Sequence, residues 1–142
     1  MNNRSQINYF QSIDYCPSED EEYLNEQQLR YFEYKLLKQK KELEQKIQDS
    51  IQKLKNLKSE SPDLIDKSNY EHELGLELKS VERNSTLLRL SENALNRLKE
   101  GRFGYCVITG QEIGVKRLNI IPTTTMSIDA MRMFEQDNSS WY

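Results

Sequence analysis

Two apolar stripes of nearly equal length, parted by one short proline-bearing stretch, constrain this chain more than any other feature. Over residues 26–57, Leu29, Phe32, Leu36, Leu43, Ile47, Ile51, Leu54 and Leu57 recur at helical spacings. Over residues 67–100, Leu74, Leu78, Val81, Leu88, Leu95 and Leu98 do the same, with Ser85 at one expected seam position. That period lays apolar side chains along one face of a helix. The residues between them are mostly Lys, Glu and Gln, which favour helix. The stretch that separates the stripes is Ser59-Glu60-Ser61-Pro62-Asp63-Leu64-Ile65-Asp66-Lys67-Ser68. Pro62 disfavours helix at Ser61, and the Ser and Asp residues suit a turn followed by a helix cap. The pattern predicts an antiparallel coiled-coil hairpin over 26–100, tip near 59–68, each arm about 50 Å long at 1.5 Å per residue.

A hairpin needs only one apolar seam, so it tolerates a chain that is 36% hydrophobic and 30% charged. Asn25 is placed to cap the first arm and Gly101 to stop the second. Gly75 weakens the second arm by about 1 kcal/mol relative to alanine. The net charge is −3, which gives no support to a DNA binder that tracks backbone phosphates. The charge is uneven: residues 26–58 carry nine Lys or Arg against five Asp or Glu, and residues 60–100 carry six against nine. Opposite surpluses on the two arms favour their antiparallel pairing. The cysteines, Cys16 and Cys106, suggest no disulfide framework, so a reduced cytoplasm is expected. No signal segment or membrane-spanning run is present. No nucleophile–base set or phosphate-binding glycine loop is present either, so independent catalysis is not expected.

The flanks differ from the hairpin. Residues 1–25 are polar and contain Pro17 and the acidic run Glu19-Asp20-Glu21-Glu22; they read as an irregular leader with a few anchoring contacts. Residues 101–142 hold Gly101, Gly104, Gly110 and Gly114, with short apolar runs at Val107-Ile108 and Ile120-Ile121. They predict a small α+β module: a strand-turn unit, then a helix over about Ser127 to Gln136.

Three segments resemble the DksA/TraR family. They are Glu21-Glu22-Tyr23-Leu24-Asn25-Glu26-Gln27-Gln28-Leu29; the tip Pro62-Asp63-Leu64-Ile65-Asp66-Lys67-Ser68 with Glu73-Leu74-Gly75-Leu76-Glu77-Leu78; and Phe103-Gly104-Tyr105-Cys106, Gly110-Gln111-Glu112-Ile113-Gly114, Arg117-Leu118 and Pro122-Thr123. The last is the most specific, because its spacings are irregular. The resemblance implies a mainly α fold, a long hairpin with a small C-terminal zinc-finger-like module.

The family's module carries two Cys-x-x-Cys pairs. The matching positions here are Cys106, Thr109, Ser127 and Ala130: the spacing survives and three of the four ligands are gone. A structural zinc site needs four thiolate or imidazole donors, so no zinc and no other cofactor is expected. Cys106 reads first as a small buried core residue, with a redox-sensing thiol as the alternative. An apolar core of Val107, Ile108, Ile113, Ile120, Ile121, Met126, Ile128, Met131 and Phe134 is expected in place of the metal, with Thr109 and Ser127 hydrogen-bonded across the former ligand cluster.

On residues alone, Asp63 and Asp66 read as caps of the second arm. The resemblance implies more: a tip that enters the secondary channel of RNA polymerase and contacts it through Asp63, Asp66 and Ser68. Ser68 replaces a small alanine of the family, and Lys67, Arg83, Arg89, Lys116 and Arg117 are further candidate contacts. The implied partner is RNA polymerase, engaged by a monomer without sequence-specific DNA binding. The family's site for the alarmone ppGpp uses basic residues where this chain has Leu90, Ile121 and Met131. Neutral side chains cannot replace charge-assisted bonds to phosphate, so a weak or absent ppGpp response is expected. Two other readings stand beside a regulator of initiation: a Gre-like stimulator of transcript cleavage, and a plain coiled-coil interaction protein.

Overall fold

The computed structural model describes residues 15–59 and 67–139. The tip residues 60–66, with Asp63 and Asp66, lie outside the described residues. Four helices are described: α1 (Glu26–Ser59), α2 (Lys67–Lys99), α3 (Val115–Ile120) and α4 (Ile128–Ser139). The two long ones match the arms read from the sequence. Asn25 caps α1 as expected, its Oδ1 accepting a hydrogen bond from the Gln28 N–H at 2.8 Å. Gly101 ends α2 at φ 73°. The Gly101 N–H reaches Leu98 O and the Arg102 N–H reaches Arg97 O, a paired closure that only a left-handed residue permits cheaply.

The chain divides into two compact units: residues 38–92, and residues 1–37 with 93–142. In the first unit α1 and α2 run antiparallel, with Lys53 beside Glu77 at 3.5 Å and Leu57 sharing a groove with Glu73. Its buried residues are Leu43, Ser50, Asn84 and Ser91. The seam keeps most of the expected positions and departs from them at Ile51, Leu78 and Ser85. Ile51 is 40% exposed while Ser50 is 6% exposed; Leu78 is 52% exposed, and Ser85 faces out while Asn84 is 6% exposed. The cause is the coiled-coil period of 3.5. Leu36 and Leu43 continue in sevens to Ser50 and Leu57, and Leu74, Val81, Leu88 and Leu95 fix the intervening layers at Glu77, Asn84, Ser91 and Leu98. Polar side chains thus occupy layers that apolarity alone assigns to their neighbours.

The second unit holds the main core. Phe32 and Leu36 from α1 and Ala94 from α2 join Phe103, Cys106, Ile113, Val115, Leu118 and Ala130. The α+β expectation for the C-terminal segment fails among the described residues, where one isolated bridge, Tyr105 with Glu112, stands in place of a strand. Left-handed glycines at 104, 110 and 114 turn the chain too often for a ladder to extend. The expected core fails too. Val107 and Ile108 are each 60% exposed, Ile120 is 80% exposed, and Ile121, Ile128 and Phe134 also face out. Only Ile113 is buried, with Met126 packed beside it. The module takes its apolar partners from α1 instead.

The segment before α1 is built in. Glu21 accepts hydrogen bonds from the Tyr15 hydroxyl (2.9 Å), the Ser18 N–H (3.0 Å) and Gln28 Nε2 (3.3 Å). The fully buried Gln28 also donates to Ser18 O and accepts from the Leu24 N–H. Tyr23 donates to Gly104 O at 2.5 Å and accepts from the Gly114 N–H at 3.1 Å. At Gly104 (φ 84°), a Cβ would strike Leu24 Cδ1 and lie 3.0 Å from Tyr23 Oη.

Two glycines therefore predict opposite signs. Gly104→Ala destabilises by about 2–3 kcal/mol through strain and overlap. Gly75→Ala, helical and with open space around its Cα, stabilises by up to about 1 kcal/mol. Urea unfolding followed by helix content checks both.

Candidate functional site

Two places attract attention: the former metal-ligand positions and the end of the hairpin. At the first, the fold brings the expected residues together. Cys106 is buried, at 3% exposure. Burial raises its thiol pKa, while polar groups close to the sulfur, the Thr109 hydroxyl and the backbone N–H groups of Ser127, Thr109 and Ile108, lower it. Their stabilisation of the thiolate outweighs burial and brings the thiol down from 9.0 to about 6. Local turns aim these donors: the Gly110 N–H bonds Cys106 O at 2.8 Å, and the Val107 N–H bonds Thr125 O at 2.9 Å. The second former pair has become a helix cap. The buried Ser127 Oγ accepts from the Ala130 N–H at 3.2 Å, and Ser127 O accepts from the Met131 N–H. Ala130 is buried in the core.

The expected hydrogen bond of Thr109 and Ser127 across the cluster does not form: Thr109 Oγ1 accepts from the Gln111 N–H at 3.3 Å and Ser127 Oγ from the Ala130 N–H, each within its own turn. The four positions together offer one thiolate, two hydroxyls and a methyl group, a donor set that does not fit a structural zinc ion. No group of three or more His, Cys, Asp or Glu suited to a metal occurs among the described residues.

At the hairpin end, Lys67 and Ser68 are exposed in the first turn of α2. Arg83 and Arg89 are exposed along the same helix. Lys116 is 81% exposed and lies 3.4 Å from Glu19. Arg117 is half-buried, and its Nε donates to Met126 O at 3.0 Å; it holds the α3–α4 connection as well as offering charge. Of the three neutral residues, Leu90 and Met131 are half-buried and Ile121 is 45% exposed.

One cluster escaped sequence reasoning. Tyr31 donates to Asn119 Oδ1 at 2.8 Å, and Lys35 Nζ donates to Asn119 O and, at 2.9 Å, to its Oδ1. Burial lowers the Lys35 pKa. Tyr31 and Lys35 are four apart on α1, a spacing that could have signalled a shared partner; nothing in the sequence pointed to Asn119.

Residues 28–98 match the family model described as DnaK suppressor protein DksA, N-terminal domain. A Caulobacter vibrioides protein named RNA polymerase-binding transcription factor DksA is 38% identical over 123 residues, covering 87% of each chain. An Escherichia coli protein of the same name is 32% identical over 115 residues, 81% of this chain and 76% of that one. The solved structure of transcription factor DksA2 from Pseudomonas aeruginosa superimposes with a TM-score of 0.78 at 33% identity, over 82% of this chain and 90% of the other.

The depressed thiol pKa predicts a pH signature. A folded-state pKa below the unfolded one stabilises the fold above the unfolded value and loses that contribution as pH falls through the folded value. Cys106 therefore adds stability that grows from about pH 6 to about pH 9. Urea midpoints of the native protein and Cys106→Ala, taken across that range, should diverge as pH rises; a constant gap contradicts the assignment.

Proposed function

This chain belongs to the DksA family, and from that premise we propose that it binds RNA polymerase and regulates transcription. The observation that carries the reading is the likeness to a protein named for that activity, 38% identical over 87% of both chains. The paired long helices agree with it, as does the DksA2 structure. The relatives named here are transcription factors, and this chain is read as a binding factor without chemistry of its own.

The finer reading concerns how it binds. A narrow helical hairpin reaches where a globule cannot, and we place the working end at Asp63, Asp66 and Ser68, inserted into the polymerase's secondary channel. Two carboxylates on a turn can pair with basic loops or accept their hydrogen bonds. Lys67, Arg83, Arg89 and Lys116 add charge within reach of a partner surface. The effect is on initiation, through the lifetime of the polymerase–promoter complex, without reading DNA sequence; a net charge of −3 supports the last point. The protein acts as a monomer in the cytoplasm. No helix among the described residues is long and apolar enough to cross a membrane.

The same reading holds the C-terminal module to be zinc-free. Its core draws on Phe32 and Leu36 of α1, and the one ligand that remains, Cys106, is buried within that core. A ppGpp response through the family's site is weak or absent, because Leu90, Ile121 and Met131 offer no charged donor to phosphate.

Transcription in vitro with purified polymerase tests these points together. The protein should shorten or lengthen open-complex lifetime equally with and without a zinc chelator, with little gain from ppGpp. Asp66→Asn should lower potency about tenfold while keeping native helix content. Equimolar zinc in protein purified without chelator, or full synergy with ppGpp, contradicts the corresponding part.

A further inference from the structure

In the unit formed by residues 38–92, α1 and α2 leave a groove of about 420 Å³ lined by Lys53, Asn56, Leu57, Glu73, Leu76 and Glu77. Its apolar part is Leu57, half-buried, and Leu76, 55% exposed. Leu76 stands outside the seam, whose layers on this helix are Leu74, Glu77 and Val81, so packing of the two helices does not account for it. The polar part is unbalanced. Lys53 pairs with Glu77 at 3.5 Å, while Glu73 is exposed and makes no ion pair among the described residues. Two carboxylates and one ammonium leave the groove with a surplus of negative charge.

We propose that this groove receives a lysine or arginine side chain of RNA polymerase, an inference that rests on the polymerase reading above. Both side chains carry an aliphatic stem behind a cationic head. The stem would cover Leu57 and Leu76, and the head would meet Glu73 in a charge-assisted hydrogen bond. Position agrees with chemistry. Glu73 lies six residues beyond Lys67, the first residue of α2, or about 9 Å along the axis at 1.5 Å per residue. A partner holding Lys67 and Ser68 would therefore have this groove within reach in the same encounter.

Equilibrium binding of the labelled full-length protein to core polymerase tests the proposal, with helix content and urea midpoint as controls for folding. Glu73→Lys and Leu76→Ala should each weaken binding about tenfold, the scale of a truncated interface anchor. Leu78→Ala, which removes an equally exposed leucine outside the groove, should stay within about twofold. Native affinity in both groove variants, while the unsubstituted protein binds, overturns the groove and leaves the polymerase reading intact. Failure of the unsubstituted protein to bind overturns both. If sedimentation shows that Glu73→Lys disrupts self-association and leaves polymerase binding unchanged, the occupant is a second copy of this chain and the proposal is wrong.

Discussion

The ring of Phe32, one turn and a half into α1, packs against that of Phe103, just past the end of α2, with centroids 5.6 Å apart. Around this contact close Leu36, Ala94, Cys106, Ile113, Val115, Leu118 and Ala130. A segment as short as 101–139 cannot bury a core of its own. By borrowing Phe32 and Leu36, it completes a core in which three of its own five residues beyond Phe103, namely Cys106, Leu118 and Ala130, are neither aromatic nor β-branched. The same contact gathers the beginning of α1 and the end of α2, so that the free ends of both helices are fixed where they meet the module. The N-terminal stretch adds a polar layer: Tyr23 links Gly104 to Gly114, and Gln28 ties Ser18 to Leu24.

What was legible in the sequence follows from how strongly each feature is local. The two long helices were readable because their signals repeat over many turns and because Asn25 and Gly101 end them by backbone geometry alone. Three layers of the seam were not. Apolarity pointed to Ile51, Leu78 and Ser85, whereas the supercoil period puts Ser50, Glu77 and Asn84 inside, and a one-residue shift in a helix moves a side chain by 100°. The module's core was misread because its partners are some 70 residues away along the chain, and no window of 101–142 contains Phe32. Its apolar residues were counted as core when most of them face out.

The candidate sites show the same division. Family spacing was enough to bring Cys106, Thr109 and Ser127 together, and the structure adds what spacing cannot: Cys106 and Ala130 are buried in the core and Ser127 caps the last helix through the Ala130 N–H. One thiol among two hydroxyls and a methyl group supports the proposal that this corner does without a metal. The tip aspartates Asp63 and Asp66 remain a reading from the sequence. The groove beside Glu73 depended on Leu76, which stands outside both the expected stripe and the observed seam.

The most direct test of the account is hydrogen–deuterium exchange of this chain with and without saturating core RNA polymerase. The account predicts that binding slows exchange over residues 59–77, on either side of Asp63 and Asp66. Protection confined to residues 101–142, or none anywhere, would contradict the claim that the hairpin end is the part that engages the enzyme.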